Sequence, residues 1–201
     1  MDKDNARRYV ILDRDGTIIV ERNTLTDPEL LELIPGTGQA LKRLSGLGLG
    51  FIVVTNQSGI GRGALTSARL EQIHTKLRQV LKAEGVELAG IYVCPHTAED
   101  GCECRKPLPT LLRKAAQELQ FDLKACFVIG DKASDIELGQ AVGATTVLVR
   151  TGYGVQMEVG GTARPDYVVA DVQAAARIIE ELLIRTGADL GRNSGGHPRP
   201  S

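Results

Sequence analysis

Residues 9–17 have the sequence YVILDRDGT, in which a short apolar run is followed at once by two aspartates, a glycine and a threonine. The run, Tyr9–Leu12, is apolar at every position rather than at alternate ones. Continuous apolar runs of this length are typical of strands covered on both faces, as in a parallel sheet. Further runs of this kind predict more strands at Phe51–Val54, Ile91–Val93, Phe127–Ile129 and Thr146–Val149.

Amphipathic stretches lie between these runs and predict helices. The longest, Ser67–Ala83, carries leucine and isoleucine at helical spacing, and Thr66 or Ser67 is its candidate N-cap. The other candidate helices are Thr37–Leu44, Thr110–Leu119, Asp135–Ala141 and Val172–Leu183. The alternation of strand and helix predicts an α/β fold, a doubly wound, Rossmann-like parallel sheet with helices on both faces and right-handed crossovers.

The chain has 201 residues, which fits one compact domain, and we assign residues 1–186 to it. The insertion after the first strand is short, so no large cap domain is expected. From about Gly187 the chain is rich in Gly, Pro, Arg and Ser, and we predict a disordered tail over residues 187–201.

The overall composition excludes several classes of partner. The formal net charge is -1, so no polybasic field indicates nucleic acid or an anionic membrane. No apolar run approaches the roughly 18–20 residues that a membrane-spanning helix needs. Residues 1–8 are polar and charged, which predicts no secretory signal. We therefore expect a cytoplasmic protein that binds neither nucleic acid nor membranes. A monomer is a separate expectation, which the composition does not fix.

Two carboxylates, Asp13 and Asp15, come directly after the first predicted strand. In doubly wound sheets the ligand binds beyond the carboxyl ends of the strands, where the strand order reverses. Like charges this close require a cation or a shared proton. The pattern suits Asp13 as a nucleophile toward phosphorus and Asp15 as the acid that protonates the leaving oxygen and later activates water. The alternative is a polar turn with a helix cap.

Three further polar elements follow predicted strands or precede a helix. Residues 55–59, TNQSG, offer the Thr55 hydroxyl and backbone amides to a phosphoryl oxygen. Lys106 precedes a helix and suits the charge that develops in phosphoryl transfer. Asp131 is placed to hold Mg²⁺ with Asp13, whereas Asp135 either coordinates through water or caps the next helix. Taken singly, these elements also fit polar turns and a solvated lysine.

A cluster of metal-ligand residue types lies between the third strand and Lys106. It comprises Cys94, His96, Cys102 and Cys104, a Cys3His set typical of tetrahedral zinc. Four protein ligands leave no open position, so we predict a structural zinc that orders this loop and holds the following Arg105 and Lys106 toward the site. The alternative is free thiols and a surface histidine. Cys126 stands apart in an apolar run and indicates a buried thiol.

Together these four polar elements resemble, in order and strand placement, the motifs of the haloacid dehalogenase superfamily of phosphatases. The resemblance covers about residues 9–169. It implies Mg²⁺ held by the side chains of Asp13 and Asp131 and by the backbone carbonyl of Asp15. It also implies that Thr55 and Lys106 stabilise the phosphoryl group, and that the substrate is a small phosphorylated metabolite.

Within the superfamily, the zinc loop is similar to that of the D-glycero-D-manno-heptose 1,7-bisphosphate 7-phosphatases and of the histidinol-phosphatase group. Residues 55–63, 130–132 and 148–152 favour the heptose family, whose activity would be hydrolysis of the 7-phosphate through an aspartyl-phosphate. The spacing of five residues between His96 and Cys102 matches the histidinol-phosphatase loop instead. Ile19 stands where the heptose family has Asn, and the aromatic residue usual in the next segment is missing.

The resemblance implies a set of substrate contacts, which are Glu21, Arg22, Asn23, Thr24, Asn56, Gln57, Ser58, Arg105 and Lys132. Arg105 faces the distal part of the substrate in this interpretation and suits a second phosphate, although it can equally neutralise the zinc thiolates. Two other functions stay open: a histidinol phosphate phosphatase, and a zinc module that binds phosphorylated partners without catalysis.

Overall fold

The computed structural model describes residues 7–161 and 164–193. Its centre is a six-stranded sheet of order β3-β2-β1-β4-β5-β6, in which every neighbouring pair is parallel. The strands are β1 Tyr9–Leu12, β2 Gly50–Asn56, β3 Leu88–Cys94, β4 Phe127–Gly130, β5 Thr145–Val149 and β6 Tyr167–Val169. The chain builds one half outward from β1 and then returns to the other side of β1 with β4. The strand order therefore reverses between β1 and β4.

Six α-helices lie between or after the strands in the described part of the chain. They are α1 Thr37–Gly46, α2 Ser67–Ala83, α3 Thr110–Leu119, α4 Ala133–Val142, α5 Gly154–Gly160 and α6 Val172–Asn193. The Thr66 hydroxyl accepts a hydrogen bond from the Arg69 N–H (3.1 Å) and caps α2, as its sequence predicts. Short 3-10 helices occupy Pro28–Leu30 and Leu123–Ala125.

Hydrophobic cores lie on both faces of the sheet, which explains the continuous apolar runs. Successive side chains of β1 point to opposite faces, so Val10 packs with residues of α1, α2 and α6. Its neighbour Ile11 packs with residues of α3 and α4. The predicted doubly wound fold is confirmed.

Three features differ from the sequence prediction or extend it. Strand β6 and helix α5 were not predicted; β6 is only three residues long and half-buried at the sheet edge. Helix α6 continues to Asn193 and so enters the segment predicted to be disordered. A glycine such as Gly187 weakens a helix by about 1 kcal/mol, which by itself does not end one. The rest of the predicted tail, residues 194–201, lies outside the described residues.

Among the described helices, none combines the length and the apolar character required to cross a membrane.

Candidate active site

The carboxyl ends of three adjacent strands place Asp13, Thr55 and Asp131 at the point where the strand order reverses. Asp13 directly follows β1, Thr55 lies near the end of β2, and Asp131 directly follows β4. The Asp13 N–H donates to the Ile129 carbonyl (3.0 Å), which extends the pairing of β1 with β4 by one residue. Topology therefore brings together side chains that are far apart in the sequence.

Lys106 is buried among carboxylates at this edge. Its Nζ donates to Asp13 Oδ1 and to the Val54 carbonyl, each at 2.7 Å, and lies 2.6 Å from Asp135 Oδ1 in an ion pair. Burial alone would lower the pKa of Lys106, but the charges of Asp13 and Asp135 outweigh it and raise the pKa. Burial opposes ionisation of Asp13 as well, yet the Lys106 and Lys132 charges lower its pKa overall. Asp13 is thus an ionised carboxylate with a fixed ammonium beside it.

Three buried acids, Asp13, Asp131 and Asp135, have carboxylate oxygens within 4.8 Å of one another. Ligands of one Mg²⁺, at about 2.0–2.1 Å from the ion, lie up to about 4.2 Å apart, which is close to this spread. Burial and the charges of Asp13 and Asp135 raise the pKa of Asp131 to about 8, because together they outweigh the opposing charge of Lys132. The cluster therefore lacks positive charge, and its donor set fits a hard divalent cation.

Asp131 is held from two sides, by the turn after β1 and by the turn after β5. The Thr17 hydroxyl lies 3.5 Å from Asp131 Oδ1, and the Tyr153 N–H donates to Oδ2 at 2.8 Å. Gly16 has φ +81°, and a Cβ there would lie 2.3 Å from Asp131 Oδ2. A glycine is therefore required where the turn approaches the carboxylate. Asp135 accepts from the Lys132 N–H (3.1 Å), so the helix-cap alternative predicted for it is observed.

Asp15 is held by a network that sequence reasoning missed. Arg14 donates through Nε to Asp15 Oδ2 and through Nη2 to Oδ1, both at 3.0 Å. Gln57 Nε2 donates to Asp15 Oδ2 (2.8 Å) and to Thr55 Oγ1 (2.7 Å). On the far side of Arg14, His74 Nε2 lies 3.3 Å from Nη1. His74 occupies the apolar face of α2, and a lone polar residue on that face was the available signal.

Asn56 and Ser58, two of the predicted substrate contacts in the loop after β2, make hydrogen bonds within the protein. Asn56 and Lys106 exchange two hydrogen bonds, from Asn56 Nδ2 to the Lys106 carbonyl (3.2 Å) and from the Lys106 N–H to Asn56 Oδ1 (3.0 Å). These bonds fix the backbone that carries the buried ammonium. Arg62 donates to Ser58 Oγ (2.6 Å) and to Thr24 Oγ1 (3.3 Å), so it ties two of the predicted contact residues together.

Residues 21–24, the segment of predicted substrate contacts that follows the turn after β1, contact the site through Lys132 and Tyr153. Lys132 Nζ donates to Glu21 Oε2 (3.2 Å) and lies 4.9 Å from the centre of the Tyr153 ring. The Tyr153 hydroxyl donates to Asn23 Oδ1 (3.0 Å). Tyr153 therefore supplies an aromatic side chain beside the segment in which the sequence lacks one. Arg22 instead pairs with the exposed Glu32 at 3.1 Å.

A small cavity marks the centre of the site. Its lining combines the nucleophile candidate, the buried ammonium and the loop after β2, and consists of Asp13, Asp15, Thr55, Asn56, Lys106, Lys132 and Ser134. Ser134 was not predicted. Arg105 donates through Nη1 to the His96 carbonyl (3.1 Å), which places its side chain against the cysteine loop.

The three cysteines and the histidine of that loop converge. Cys102 Sγ lies 3.5 Å from Cys94 Sγ and 3.6 Å from Cys104 Sγ, and His96 Nδ1 lies 3.3 Å from Cys104 Sγ and 3.8 Å from Cys94 Sγ. Around tetrahedral zinc, with Zn–S about 2.3 Å and Zn–N about 2.0 Å, neighbouring ligand atoms lie about 3.5–3.8 Å apart. None of these cysteines forms a disulfide. The loop therefore fits zinc, as its sequence predicts.

A doubly wound sheet with this arrangement of acids and lysine defines a haloacid dehalogenase-like hydrolase, and a HAD-hydrolase-like family model matches residues 103–175. The D-glycero-beta-D-manno-heptose-1,7-bisphosphate 7-phosphatase of Pseudomonas putida is 39% identical over 171 residues, covering 85% of this chain and 98% of that protein. The enzyme of the same name from Escherichia coli K12 is 38% identical over 77% of this chain and 85% of its own.

Comparison with solved structures agrees. The D,D-heptose 1.7-bisphosphate phosphatase of B. bronchiseptica, complexed with magnesium and phosphate, superposes with a TM-score of 0.81 at 33% identity, covering 87% of this chain and 98% of that chain. The chain belongs to the haloacid dehalogenase-like phosphatases, in the family of the D-glycero-beta-D-manno-heptose-1,7-bisphosphate 7-phosphatases. The predicted resemblance is confirmed.

Proposed function

We propose that this protein is a Mg²⁺-dependent phosphatase that removes the 7-phosphate of D-glycero-beta-D-manno-heptose 1,7-bisphosphate through an aspartyl-phosphate on Asp13. One observation carries the reaction type: an ionised, buried Asp13 lies 2.7 Å from the Lys106 ammonium at the strand-order reversal. The names of the relatives support the choice of substrate.

In the first step a carboxylate oxygen of Asp13 attacks phosphorus, and the bond from phosphorus to the substrate oxygen breaks. Asp15 gives its proton to that leaving oxygen. Water then attacks the phosphorus of the aspartyl-phosphate while Asp15 accepts a proton from it, so phosphate leaves and Asp13 is restored. Lys106 and the Thr55 hydroxyl stabilise the phosphoryl oxygens, because both line the cavity beside Asp13.

Each of the two implied metals has a donor set that fits. The side chains of Asp13 and Asp131 and the Asp15 carbonyl would hold Mg²⁺, which supplies positive charge to the phosphoryl group. Cys94, His96, Cys102 and Cys104 would hold a structural zinc. Because Cys104 is two residues from Lys106, order in the zinc loop fixes the backbone on which the ammonium depends.

We assign substrate selection to the rim of the cavity. Lys132 and Asn56 line the cavity, while Glu21 and Asn23 reach Lys132 directly or through Tyr153. Arg105 lies beside the zinc loop and suits the distal phosphate as a guanidinium fork. Direct contacts from Arg22, Thr24, Gln57 and Ser58 to the substrate stay predictions, as do a monomeric state and a cytoplasmic location.

The test compares phosphate release from heptose 1,7-bisphosphate and from histidinol phosphate, with and without Mg²⁺. Histidinol phosphate is included because the spacing of five residues in the zinc loop favours that group. We expect the heptose substrate to be hydrolysed faster and a phosphoryl group to be trapped on Asp13. Asp13→Asn should abolish both signals, whereas Asp122→Asn, at an exposed turn, should not. Faster hydrolysis of histidinol phosphate would overturn the proposed substrate assignment. Binding of these phosphate esters without hydrolysis would overturn the proposal that the protein is an enzyme.

A further inference from the structure

Arg14, between the two site aspartates, is completely buried although it carries a charge. A buried guanidinium is stable only when its N–H groups and its charge are both satisfied. The structure satisfies them from three elements: Asp15 in the turn after β1, Gln57 after β2, and His74 on α2. Arg14 and Gln57 both donate to Asp15, and His74 acts on Asp15 through Arg14.

The hydrogen bonds of Asp15 are unevenly distributed between its two oxygens. Oδ2 accepts from Arg14 Nε and from Gln57 Nε2 and also lies 2.9 Å from Arg14 Nη2, whereas the hydrogen bond of Oδ1 comes from Arg14 Nη2. A carboxylate has about four lone-pair positions, two on each oxygen. One position on Oδ1 therefore stays available after the network is complete. Asp15 can exchange a proton there without releasing Arg14 or Gln57.

Two further hydrogen bonds fix the orientation of the Arg14 guanidinium plane relative to Asp15. Its Nη2 donates to Gln57 Oε1 (2.9 Å), and its Nη1 donates to His74 Nε2 (3.3 Å). His74 can accept only if Nε2 carries no proton, and burial together with the Arg14 charge lowers the pKa of His74 to about 3. The imidazole is therefore neutral near pH 7 and serves as an acceptor.

Both N–H groups of the Gln57 amide and one lone pair of its oxygen are used within the protein. Both hydrogens of Nε2 are donated, to Asp15 and to Thr55, and Oε1 accepts from Arg14. Gln57 thereby joins the proton-transfer group to the phosphoryl-stabilising hydroxyl. Its side chain therefore acts on both Asp15 and Thr55 in this arrangement.

We propose that Arg14 is a positioning residue, held by His74 and Gln57, that fixes the Asp15 carboxylate and leaves one of its oxygens for proton transfer. This inference rests on the proposed function of Asp15 and deepens it. Asp15 protonates the leaving oxygen. Displacement of Asp15 should therefore slow Asp13 phosphorylation by substrates whose leaving oxygen must be protonated. Phosphorylation of Asp13 by p-nitrophenyl phosphate needs no such proton, because p-nitrophenolate is a stable anion.

The test measures the rate of Asp13 phosphorylation before steady state with two substrates, the heptose bisphosphate and p-nitrophenyl phosphate. Positioned acid–base groups contribute about 10²–10⁴-fold, so Arg14→Lys should slow phosphorylation by the sugar phosphate about tenfold or more and the p-nitrophenolate burst less than about threefold. Asp15→Asn should show the same pattern more strongly. Equal slowing on both substrates, in a variant that unfolds like the wild type, would overturn the inference.

A second pair of variants decides the matter if Arg14→Lys does not fold. His74→Leu removes the acceptor for Arg14 Nη1, whereas His74→Gln keeps an acceptor oxygen. We expect the leucine variant to show the same substrate-selective loss and the glutamine variant to recover most of the sugar-phosphate rate. Gln79→Ala, an exposed change on α2 away from His74, is the matched control and should match the wild type. Identical behaviour of the leucine and glutamine variants would contradict the proposal. A wild-type protein that releases phosphate from neither substrate would instead refute the proposed function.

Discussion

Acidification should destabilise the folded protein through His74, and the substitution His74→Gln should remove that part of the loss. His74 is 4% exposed on α2, and Arg14 Nη1 lies 3.3 Å from its Nε2. Burial and the Arg14 charge lower its pKa from 6.5 to about 3 in the folded state. In the unfolded chain the imidazole is in water and keeps its ordinary pKa.

The direction of the change in folding stability follows from whether the folded or the unfolded state binds the proton more readily. Below about pH 6.5 the unfolded chain takes up a proton at His74, but the folded protein does not until about pH 3. The stability that a neutral His74 contributes is therefore complete above pH 6.5 and is lost as the pH falls. At pH 5.0, about 1.5 units below the unfolded pKa, the loss is about 2 kcal/mol, since each unit is worth about 1.36 kcal/mol.

The assay is urea unfolding of wild type and His74→Gln at about pH 7.5 and about pH 5.0, with zinc and magnesium held constant. Carboxylates and the other histidines titrate in both proteins, so their contributions cancel in the difference between the two losses. We expect the wild type to lose about 2 kcal/mol more than the variant over this interval. Equal losses would refute the burial of a neutral imidazole at this position. Gln79→Ala, which removes no titratable group, should behave as the wild type does.

Three further predictions concern the site and its supports. Lys106→Met should lower turnover about 10²–10³-fold, because a fixed charge beside the phosphoryl group is lost. Lys114→Met, on the exposed face of α3, should leave turnover unchanged. Similar turnover in the two variants would contradict the role of Lys106 in stabilising the phosphoryl group. Cys102→Ala should lower zinc content, melting temperature and turnover together, measured by metal analysis, calorimetry and phosphate release, and full zinc content would contradict the ligand set. Tyr153→Phe should raise KM about fivefold with little change in kcat, since the lost hydrogen bond to Asn23 is worth about 1 kcal/mol. An unchanged KM would exclude that contact from substrate selection.

The fold was predictable because the strands are buried on both faces. In β1 every side chain enters one core or the other, so the run is apolar throughout and its bounds are visible in the sequence. Helices α2 and α3 were predicted with the observed bounds for the related reason that one face of each is apolar. Strand β6 carries no such signal, because an edge strand of three half-buried residues exposes much of its surface.

The acids of the site were predictable for a topological reason. Parallel strands end at the same edge of a sheet, so polar residues that directly follow β1 and β4 must meet once the strand order is known. The zinc ligands were predictable because all of them lie within eleven consecutive residues, where short loops bring them together without knowledge of the fold.

Arg14 and His74 differ from both cases, since sixty residues separate them and a 3-10 helix, α1 and β2 lie in between. The sequence shows that each is anomalous: Arg14 lies between two site acids at the end of a buried strand, and His74 shares the apolar face of α2 with Ile73 and Leu77. Burial requires that each find a polar partner, but which partner depends on how α2 packs over the end of β1. Spacing along the chain carries no information about that packing. A substitution on α2 that alters proton transfer at Asp15 is therefore an effect that only the three-dimensional structure could predict.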